Sequence, residues 1–432
     1  MASAATREAD HLVDLRRDLH RHPEPAWCEF YTTARIVEAI ERVGVDELYV
    51  GPEALGDDRL AVPDDATLEE WYQQALDDGA DPDILERLEG GWTGAVAVLD
   101  RGEGPTVGVR VDIDALVREE SDDPDHVPAA EGFRSEHEGA MHACGHDAHA
   151  TIGIGVLEAV KDSEFSGTLK VFFQPAEERI GGGKPMAESG HLDDVDALLA
   201  VHIGLDHPTG EVVCGVDGFL AVAHFRAEFE GAAAHAGGHP ERGRNAVQAA
   251  ATAVQNLYAI PRHDDGPTRV NAGVMGGGTA TNIIPEDAFV EGEVRGRTTA
   301  LMEYTREHAE RMLRAAAEMH DCTVELSSEA EAPSATSDQA LVDVLMGVAP
   351  DVPGVTSVLE RDQLGGSEDA TFLMERVQDR GGVACYVGVG TDHPGGHHSA
   401  TFDVDEASLP IGIGLLADAV ESIGRDGIPT AD

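Results

Sequence analysis

The densest group of potential metal ligands in this sequence is 141–149 (MHACGHDAH), which contains three histidines, one cysteine and one aspartate. Cys144 and His146 flank Gly145, and a glycine there permits a turn that directs both side chains the same way. Imidazole and thiolate are good ligands for transition-metal ions. A satisfied core histidine or an inert buried cysteine explains any one of these residues but explains the whole cluster poorly. The segment therefore predicts part of a metal site.

Two pairs of carboxylates offer further ligands. Asp112 and Asp114 are two residues apart at the end of a strand-like run, so they share one face of the strand. Glu177 and Glu178 follow another apolar run, and Pro175 ends that strand so that both carboxylates can turn toward one site. One glutamate could then bind a metal while the other acts as general base on a water, as metal-assisted hydrolysis requires. Either pair alone is also compatible with solvated surface acids.

Histidines are associated with two more apolar runs. His202 lies near the end of 197–203, where a lone histidine is more often a core residue than a ligand, and His397 and His398 follow 383–388. Open α/β sheets build their sites beyond the carboxyl ends of their strands, so these groups together would supply nitrogen, oxygen and sulfur ligands for two metal ions. The sequence has no nucleophile elbow, phosphate-binding loop or paired C-x-x-C motif that would indicate a different chemistry.

The elements that must position these residues alternate between apolar runs and helical patterns. This alternation predicts an α/β catalytic domain with a largely parallel, helix-covered sheet. The predicted strands are 106–113, 168–174, 197–203 and 383–388, and the predicted helices include 8–20, 147–161 and 407–421. An acidic, helix-prone stretch at 66–90 is interpreted as an insertion on this domain.

A different pattern interrupts the catalytic domain. Its order of elements, β-α-β-β-α-β, is that of a ferredoxin-like unit. The elements are predicted at 223–230, 244–259, 268–275, 287–296, 299–319 and 323–328. We therefore predict a catalytic metal-binding domain formed by 1–215 plus 330–432, into which a dimerisation or lid domain, 216–329, is inserted.

Charge and cysteine content exclude several classes of function. The 82 acidic and 30 basic residues give a formal net charge of -52, and the acids are spread along the chain. Such a surface repels nucleic acid and anionic membranes, so neither is expected as a partner, and halophiles use this charge for solubility. The five scattered cysteines argue for a reducing compartment, and no signal peptide or membrane-spanning run is visible. We predict a cytoplasmic protein.

Nine strings, in chain order, carry a resemblance to a known family: HRHPEPAWCEF, RVDIDAL, MHACGHDAHA, FFQPAEE, AVHIG, GAAAHAGGHPERGRNA, NIIP, GSEDAT and HHSATFDVDE. Together they resemble the amidohydrolase branch of the aminoacylase and carboxypeptidase-G metallopeptidase family. That branch includes hippurate hydrolases and hydrolases of indole-3-acetyl-amino acids. The stretch after Leu60 that contains VPDDATLEEWYQQA is similar to members that cleave p-aminobenzoyl-glutamate.

The resemblance implies a role for each candidate residue of the catalytic domain. Glu177 matches the family's general base and acid, and Asp114 matches an aspartate that supports a ligand. Asp112 stands where some members have a metal-binding histidine, which leaves its role as a ligand open. His398 is preferred to His397 because the family's ligand directly precedes the serine or asparagine of this motif. The implied metal ligands are Cys144, His146, Glu178, His202 and His398.

The resemblance also implies roles for residues of the inserted domain. His235 matches a residue that stabilises the oxyanion after reaching into the active site of a neighbouring protomer. Asn282 and Arg295 match residues that hold the substrate carboxylate. The family therefore implies a homodimer, or a heteromer with a homologous subunit.

The implied reaction is metal-dependent hydrolysis of the amide bond in a small N-acyl or N-aroyl amino acid, with a p-aminobenzoyl-glutamate-like substrate favoured. The cofactors would be two divalent cations. A thiolate ligand favours Zn²⁺, whereas the resemblance implies Mn²⁺. Two alternatives stay open: a general N-acyl-amino-acid or hippurate-type amidohydrolase or peptidase on the same fold, and a non-catalytic partner subunit.

Overall fold

A computed structural model describes residues 2–429 of the chain, except for the side chains of residues 2–10 and 329. The helices are α1 (Ala2–Arg21), α2 (Phe30–Val43), α3 (Asp65–Asp77), α4 (Pro82–Leu85), α5 (Val127–Glu131), α6 (His146–Lys161), α7 (Gly183–Glu188), α8 (Ala246–Leu257), α9 (Thr299–Met319), α10 (Gln339–Val348), α11 (Ala370–Asp379) and α12 (Ser408–Asp426). Within the described range, no helix combines the length and the apolar composition that crossing a bilayer requires.

The strands include the four predicted from apolar runs, each within two residues of its predicted bounds. They are β1 (Glu47–Val50), β2 (Ala95–Asp100), β3 (Thr106–Asp112), β4 (Thr168–Gln174), β5 (Ala197–Ile203), β6 (Glu211–Val213), β7 (Val216–Asp217), β8 (Ala221–Glu230), β9 (Ala234–His235), β10 (Thr268–Gly277), β11 (Ile283–Ile284), β12 (Asp287–Gly296), β13 (Thr323–Ala332), β14 (Ser357–Leu359), β15 (Asp362–Gln363) and β16 (Val383–Val389).

The chain forms two compact units. The large unit runs through Asp217 and also contains Ala335–Leu364 and the residues from Asp369 onward, and the small unit is Gly218–Ser334 with Gly365–Glu368. The sequence predicted 216–329 for the small unit, and it did not predict that the chain returns to this unit for the four residues Gly365–Glu368. That return is held by backbone and side-chain hydrogen bonds to Leu220 at 2.7 and 2.6 Å.

The large unit is built on an eight-stranded sheet with the order β1-β2-β4-β3-β5-β16-β6-β14. Its central strands β4, β3, β5 and β16 run parallel to one another, whereas β1, β2 and β6 make antiparallel pairs at their junctions. The predicted α/β fold with a mostly parallel sheet is therefore confirmed. Parallel central strands are buried on both faces, which explains why β3, β4 and β5 read as nearly continuous apolar runs.

Glycines bring helix α6 close to the sheet and to helix α12. A Cβ atom at Gly153 would lie 2.8 Å from the ring of Phe173 on β4, and one at Gly155 would lie 2.4 Å from Ile413 on α12. Only glycine permits this approach without displacing the core. The close packing fixes the N-terminal end of α6, where His146 is the first helical residue, beside the carboxyl ends of the strands.

The small unit has the predicted order of elements, β8-α8-β10-β12-α9-β13. Its four-stranded antiparallel sheet has the strand order β10-β12-β8-β13, as in a ferredoxin-like fold. The helices and the sheet share a core that includes Phe229, Ala249, Val290 and Leu313. In the large unit, the predicted acidic insertion forms α3 and α4, anchored by buried Leu68 and Leu85.

A buried ionic network connects helix α1 to helix α6. Arg16 is fully buried, and its Nε lies 2.8 Å from Asp147, the residue that follows His146. His20 lies one turn further along α1, with Nδ1 2.8 Å from Asp147 and Nε2 3.0 Å from Glu120. Burial and the charge of Arg16 lower the pKa of His20, but hydrogen bonds to Asp147 and Glu120 raise it to about 9. The ring therefore fits this network as an imidazolium.

We expect the charged form of His20 to stabilise the fold below neutral pH. Because its folded pKa of about 9 exceeds the ordinary value of 6.5, its contribution is fully present below pH 6.5 and is lost as the pH rises through 9. The contribution is at most about 3 kcal/mol. Urea denaturation of the wild type and His20→Gln between pH 6 and 10, at constant salt, should give free energies of unfolding that converge as the pH rises. Parallel curves would contradict this assignment.

Candidate active site

His146 lies among three carboxylates at the start of helix α6. Its Nδ1 is 3.2 Å from Asp114, and its Nε2 is 3.6 Å from Asp112 and 3.9 Å from Glu178. Burial lowers the pKa of His146, but the charges of Asp112, Asp114 and Glu178 raise it to about 10. Nε2 is buried and has no hydrogen-bond partner within residues 2–429. Because Nδ1–H donates to Asp114, Nε2 is the atom that can bind a cation, which must displace the proton that the raised pKa places there.

Cys144 and His202 form a second part of the same cluster. Gly145, between Cys144 and His146, has φ +88°, as the predicted turn requires, and a Cβ there would lie 2.5 Å from Ile203. The Sγ of Cys144 is 3.5 Å from Nε2 of His202. His202 donates Nδ1–H to the carbonyl of Ile203 at 2.8 Å, so its Nε2 carries a lone pair toward the cluster. Burial and neighbouring histidines hold the pKa of His202 well below its usual range, which keeps the ring neutral.

A tight turn after strand β4 presents Glu177 and Glu178. The strand ends before Pro175, as predicted, and Ala176 adopts a left-handed conformation with φ +55°. The carboxylate of Asp114 accepts hydrogen bonds from the backbone N–H groups of Glu177 at 3.1 Å and Glu178 at 3.0 Å. Asp114 therefore holds both this turn and the ring of His146. Both glutamate side chains lie within 4.8 Å of His146, measured between potential ligand atoms.

The structure distinguishes the two histidines of the HHSATF motif. The Nε2 of His397 accepts a hydrogen bond from the N–H of Leu205 at 3.1 Å, which leaves Nδ1–H to donate to Cys144 Sγ at 3.5 Å. His398 instead places Nε2 3.6 Å from Glu178, and its backbone has φ +60°. Burial and the charge of His146 lower the pKa of His398, so its ring is neutral and able to act as a ligand.

The five residues predicted as metal ligands meet in one cluster. Potential ligand atoms lie within 4.8 Å of one another in each of four overlapping groups, each of which contains His146 or Cys144. The groups are Cys144, His146 and His202; Cys144, Glu178 and His398; His146, Glu177 and Glu178; and Asp112, His146 and His149. Imidazole nitrogens, a sulfur and carboxylate oxygens at this spacing fit ions such as Zn²⁺ or Mn²⁺.

The surroundings of Asp112 were not predicted from the sequence. Arg110, fully buried, donates to Asp112 at 2.6 Å and to Gln174 at 2.9 Å, and it lies 3.3 Å from Asp369. His149 accepts the N–H of Ile203 on Nε2 at 2.7 Å, so its Nδ1–H donates to the other oxygen of Asp112. Asp112 thus has partners on both oxygens. In the sequence, these contacts are indicated only by Arg110, the arginine that stands in the apolar run RVDID, and by the string GSEDAT, which contains Asp369.

The predicted catalytic residue His235 and the two predicted substrate-binding residues, Asn282 and Arg295, lie in the small unit. His235 is exposed, and its Nδ1 accepts the N–H groups of Gly237 and Gly238 at 3.1 and 2.9 Å, which leaves Nε2–H as an outward donor. Asn282 is also exposed. Arg295 makes two hydrogen bonds to Glu293, at 2.9 and 3.0 Å, and one to Ser367 at 3.2 Å. The sequence did not predict these hydrogen bonds between the guanidinium of Arg295 and the carboxylate of Glu293.

Comparison with known proteins identifies the family. The sequence profile of Peptidase family M20/M25/M40 matches residues 108–422. The chain belongs to this family. It is 44% identical over 94% of both chains to indole-3-acetyl-aspartic acid hydrolase from Enterobacter agglomerans. It is 41% identical over 95% of both chains to one subunit of the p-aminobenzoyl-glutamate hydrolase from Escherichia coli K12.

A solved structure agrees with this membership. The crystal structure of an aminobenzoyl-glutamate utilization protein from Klebsiella pneumoniae superposes with a TM-score of 0.81, at 37% identity over 96% of both chains. The resemblance inferred from the nine strings is therefore confirmed, and so is the predicted class of enzyme, an amidohydrolase of this family. The hydrogen bonds of Asp114 then show how members of the family can hold His146 and the Glu177–Glu178 turn.

The contacts of His397 and His398 predict unequal effects of replacing them. His398→Ala removes a ligand atom, so the protein should retain about one ion after dialysis where the wild type retains two. His397→Ala removes the hydrogen bonds to Cys144 and to the N–H of Leu205 but no predicted ligand, and it should keep both ions, with affinity lowered about 10–100-fold. Elemental analysis of the dialysed proteins and a Mn²⁺ titration measure both effects. Loss of an ion in His397→Ala but not in His398→Ala would reverse the assignment.

Proposed function

We propose that this chain hydrolyses the amide bond of an N-acyl or N-aroyl derivative of a dicarboxylic amino acid, of the class of p-aminobenzoyl-glutamate and indole-3-acetyl-aspartate. The observation that carries this proposal is the single cluster formed by the five potential ligands with Glu177. The names of the relatives that are 41–44% identical over nearly the whole chain support the substrate class. They do not favour the alternatives of a general peptidase or a non-catalytic subunit.

Two divalent cations, Mn²⁺ or Zn²⁺, are the proposed cofactors. Cys144, His146, Glu178, His202 and His398 would hold them. When bound, such ions would supply Lewis acidity that polarises a carbonyl and lowers the pKa of a water toward about 7. The buried Nε2 of His146 without a hydrogen-bond partner and the lone pair of His202 support this assignment.

Glu177 is the proposed general base and acid. Its carboxylate takes a proton from the attacking water and then delivers it to the leaving amide nitrogen, as a single group can when it lies beside both atoms. Asp114 supports this role because it fixes the backbone of Glu177 through the hydrogen bond at 3.1 Å. The same aspartate orients His146. One buried carboxylate therefore aligns the base with a metal ligand.

The small unit supplies the proposed substrate contacts. His235, with Nε2–H as donor, would stabilise the negative charge that develops on the carbonyl oxygen. Asn282 and Arg295 would hold the amino-acid carboxylate, which a guanidinium matches with a planar fork. Arg295 uses three of its N–H groups on Glu293 and Ser367, and a guanidinium has five. Two N–H groups are therefore left for the substrate.

The proposed setting is a reducing, high-salt cytoplasm. The net charge of -52 and the five buried cysteines, none of which forms a disulfide among the described residues, support it. We further propose that the chain works as a homodimer, or as a heteromer with a homologous subunit, through the small unit. The Escherichia coli relative is named as one subunit of its hydrolase, which supports an assembly of more than one chain.

A substrate panel tests the proposed function. The purified chain, in molar KCl with added Mn²⁺, would be incubated with p-aminobenzoyl-glutamate, indole-3-acetyl-aspartate, hippurate and N-acetyl amino acids. We expect kcat/KM for the first two to exceed that for hippurate at least about tenfold, or ~1.4 kcal/mol of transition-state binding. A preference for hippurate or for N-acetyl amino acids would refute the substrate class. Mass spectrometry of gently purified protein identifies the metal.

Replacement of Glu177 tests the catalytic role. We expect Glu177→Ala to bind two ions as the wild type does and to lose about 10²–10⁴-fold in kcat, the usual contribution of a general base. Glu177→Gln, which keeps the shape of the side chain, should lose activity to a similar extent because it cannot accept the proton. Single-turnover kinetics and elemental analysis provide the two measurements. Wild-type turnover by Glu177→Ala would refute the role of Glu177 as the general base.

A further inference from the structure

Ala176, which precedes the Glu177–Glu178 pair, has an unusual backbone conformation. Its φ of +55° lies in the left-handed region, and its side chain is fully buried. For a residue with a Cβ this conformation is unfavourable, because the Cβ comes too close to the following carbonyl oxygen. The turn is closed behind it by the N–H groups of Gly181 and Gly182, which donate to the carbonyl of Ala176 at 2.9 and 3.3 Å. Some contact must hold Ala176 in place against this strain.

Glu29 makes that contact. Its carboxyl group is fully buried, accepts the N–H of Ala176 on Oε1 at 2.8 Å, and accepts the hydroxyl of Thr93 on Oε2 at 2.6 Å. Glu29 is also the residue that precedes helix α2, but its side chain makes no capping bond to that helix. The carboxyl group is therefore directed at the turn and not at its own helix.

Two buried carboxyl groups accept hydrogen bonds from three consecutive backbone N–H groups. Glu29 accepts the hydrogen bond from Ala176, and Asp114 accepts those from Glu177 and Glu178. Burial and the charge of Asp114 raise the pKa of Glu29 to about 8, so placing a second carboxyl group here is electrostatically unfavourable. An apolar residue would avoid this cost but would leave the N–H of Ala176 without a partner.

We propose that Glu29 is a positioning residue that holds Ala176 in the left-handed conformation and so aims Glu177 and Glu178 at the cluster. This role rests on the proposed function of those two glutamates. Asp114 fixes the turn from one side and Glu29 fixes its first residue from the other. Glu29 touches neither substrate nor cofactor; it acts through the backbone of Ala176.

The test compares four variants with a matched control. Glu29→Ala removes the acceptor, and Glu29→Gln keeps an oxygen for Ala176. The double variant Glu29→Ala with Ala176→Gly removes the acceptor together with the strain, because glycine adopts positive φ freely. Glu29→Asp shortens the side chain and so moves the carboxyl group away from Ala176. It replaces Glu29→Ala in the comparison if Glu29→Ala does not fold. The control is Glu24→Ala: Glu24 is also buried and accepts two backbone N–H groups at 2.8 Å, but from Tyr31 and Thr32.

Three measurements are made on the full chain: Mn²⁺ affinity without substrate, kcat at saturating Mn²⁺, and the melting temperature. We expect Glu29→Ala, or Glu29→Asp, to weaken Mn²⁺ binding about 10–100-fold and to lower kcat by about 100-fold. Glu29→Gln should stay within about threefold of the wild type on both, and the double variant should regain about tenfold over Glu29→Ala. Glu24→Ala should lower the melting temperature alone.

Wild-type Mn²⁺ affinity in folded Glu29→Ala would overturn the proposal. Equal losses in Glu29→Gln and Glu29→Ala would also overturn it, because the amide retains the acceptor. So would equal losses in Glu24→Ala, which would indicate general destabilisation, or a double variant no better than Glu29→Ala. The Mn²⁺ titration needs no substrate, so a wild type that cleaves none of the panel would refute the proposed function while this test still gives its own result.

Discussion

Negative charge concentrated around one buried imidazole is the constraint on which the site depends. Asp112, Asp114 and Glu178 surround His146 within 3.9 Å. Unpaired carboxylates in a protein interior are costly, and attraction to cations offsets that cost. Arg110 pairs with Asp112, and without a metal the raised pKa of His146 gives its own ring a positive charge. Bound divalent cations would balance the remaining negative charge. They would also offset the repulsion between the donor atoms that the fold brings together.

Left-handed backbone conformations also occur within this cluster. Each of three segments that present donor atoms contains a residue with left-handed φ at or next to the donors: Gly145, Ala176 and His398. Strain of this kind persists only where surrounding contacts determine the conformation. Here those contacts are the hydrogen bonds that backbone N–H groups donate to buried carboxyl groups and the close packing of α6 against β4. These contacts hold the donor side chains of the large unit at defined distances from one another.

Much of the fold and of the cluster could be predicted from the sequence. Buried parallel strands leave apolar runs, so β4 and β5 were predicted to the residue, and glycine and proline marked the turns before His146 and Glu177. The hydrogen-bond partners could not be predicted, because they come from distant parts of the chain: Glu29 lies 147 residues from Ala176, and Arg110 lies 259 residues from Asp369. Periodicity reveals which side chains are buried, but it does not reveal which buried side chains meet. Arg295 and Glu293 are only two residues apart on β12, and alternation along a strand shows that they share a face but not that their side chains pair.

The central claim is that the five donor residues hold two cations with Glu177 beside them. The most direct measurement is anomalous diffraction at the manganese absorption edge from crystals of the chain grown with Mn²⁺. The account predicts two anomalous peaks about 3.5–4 Å apart, the separation typical of two-metal sites. Between them, the two ions should contact Cys144, His146, Glu178, His202 and His398. A single peak, or peaks bound only to surface carboxylates elsewhere on this very acidic chain, would contradict it.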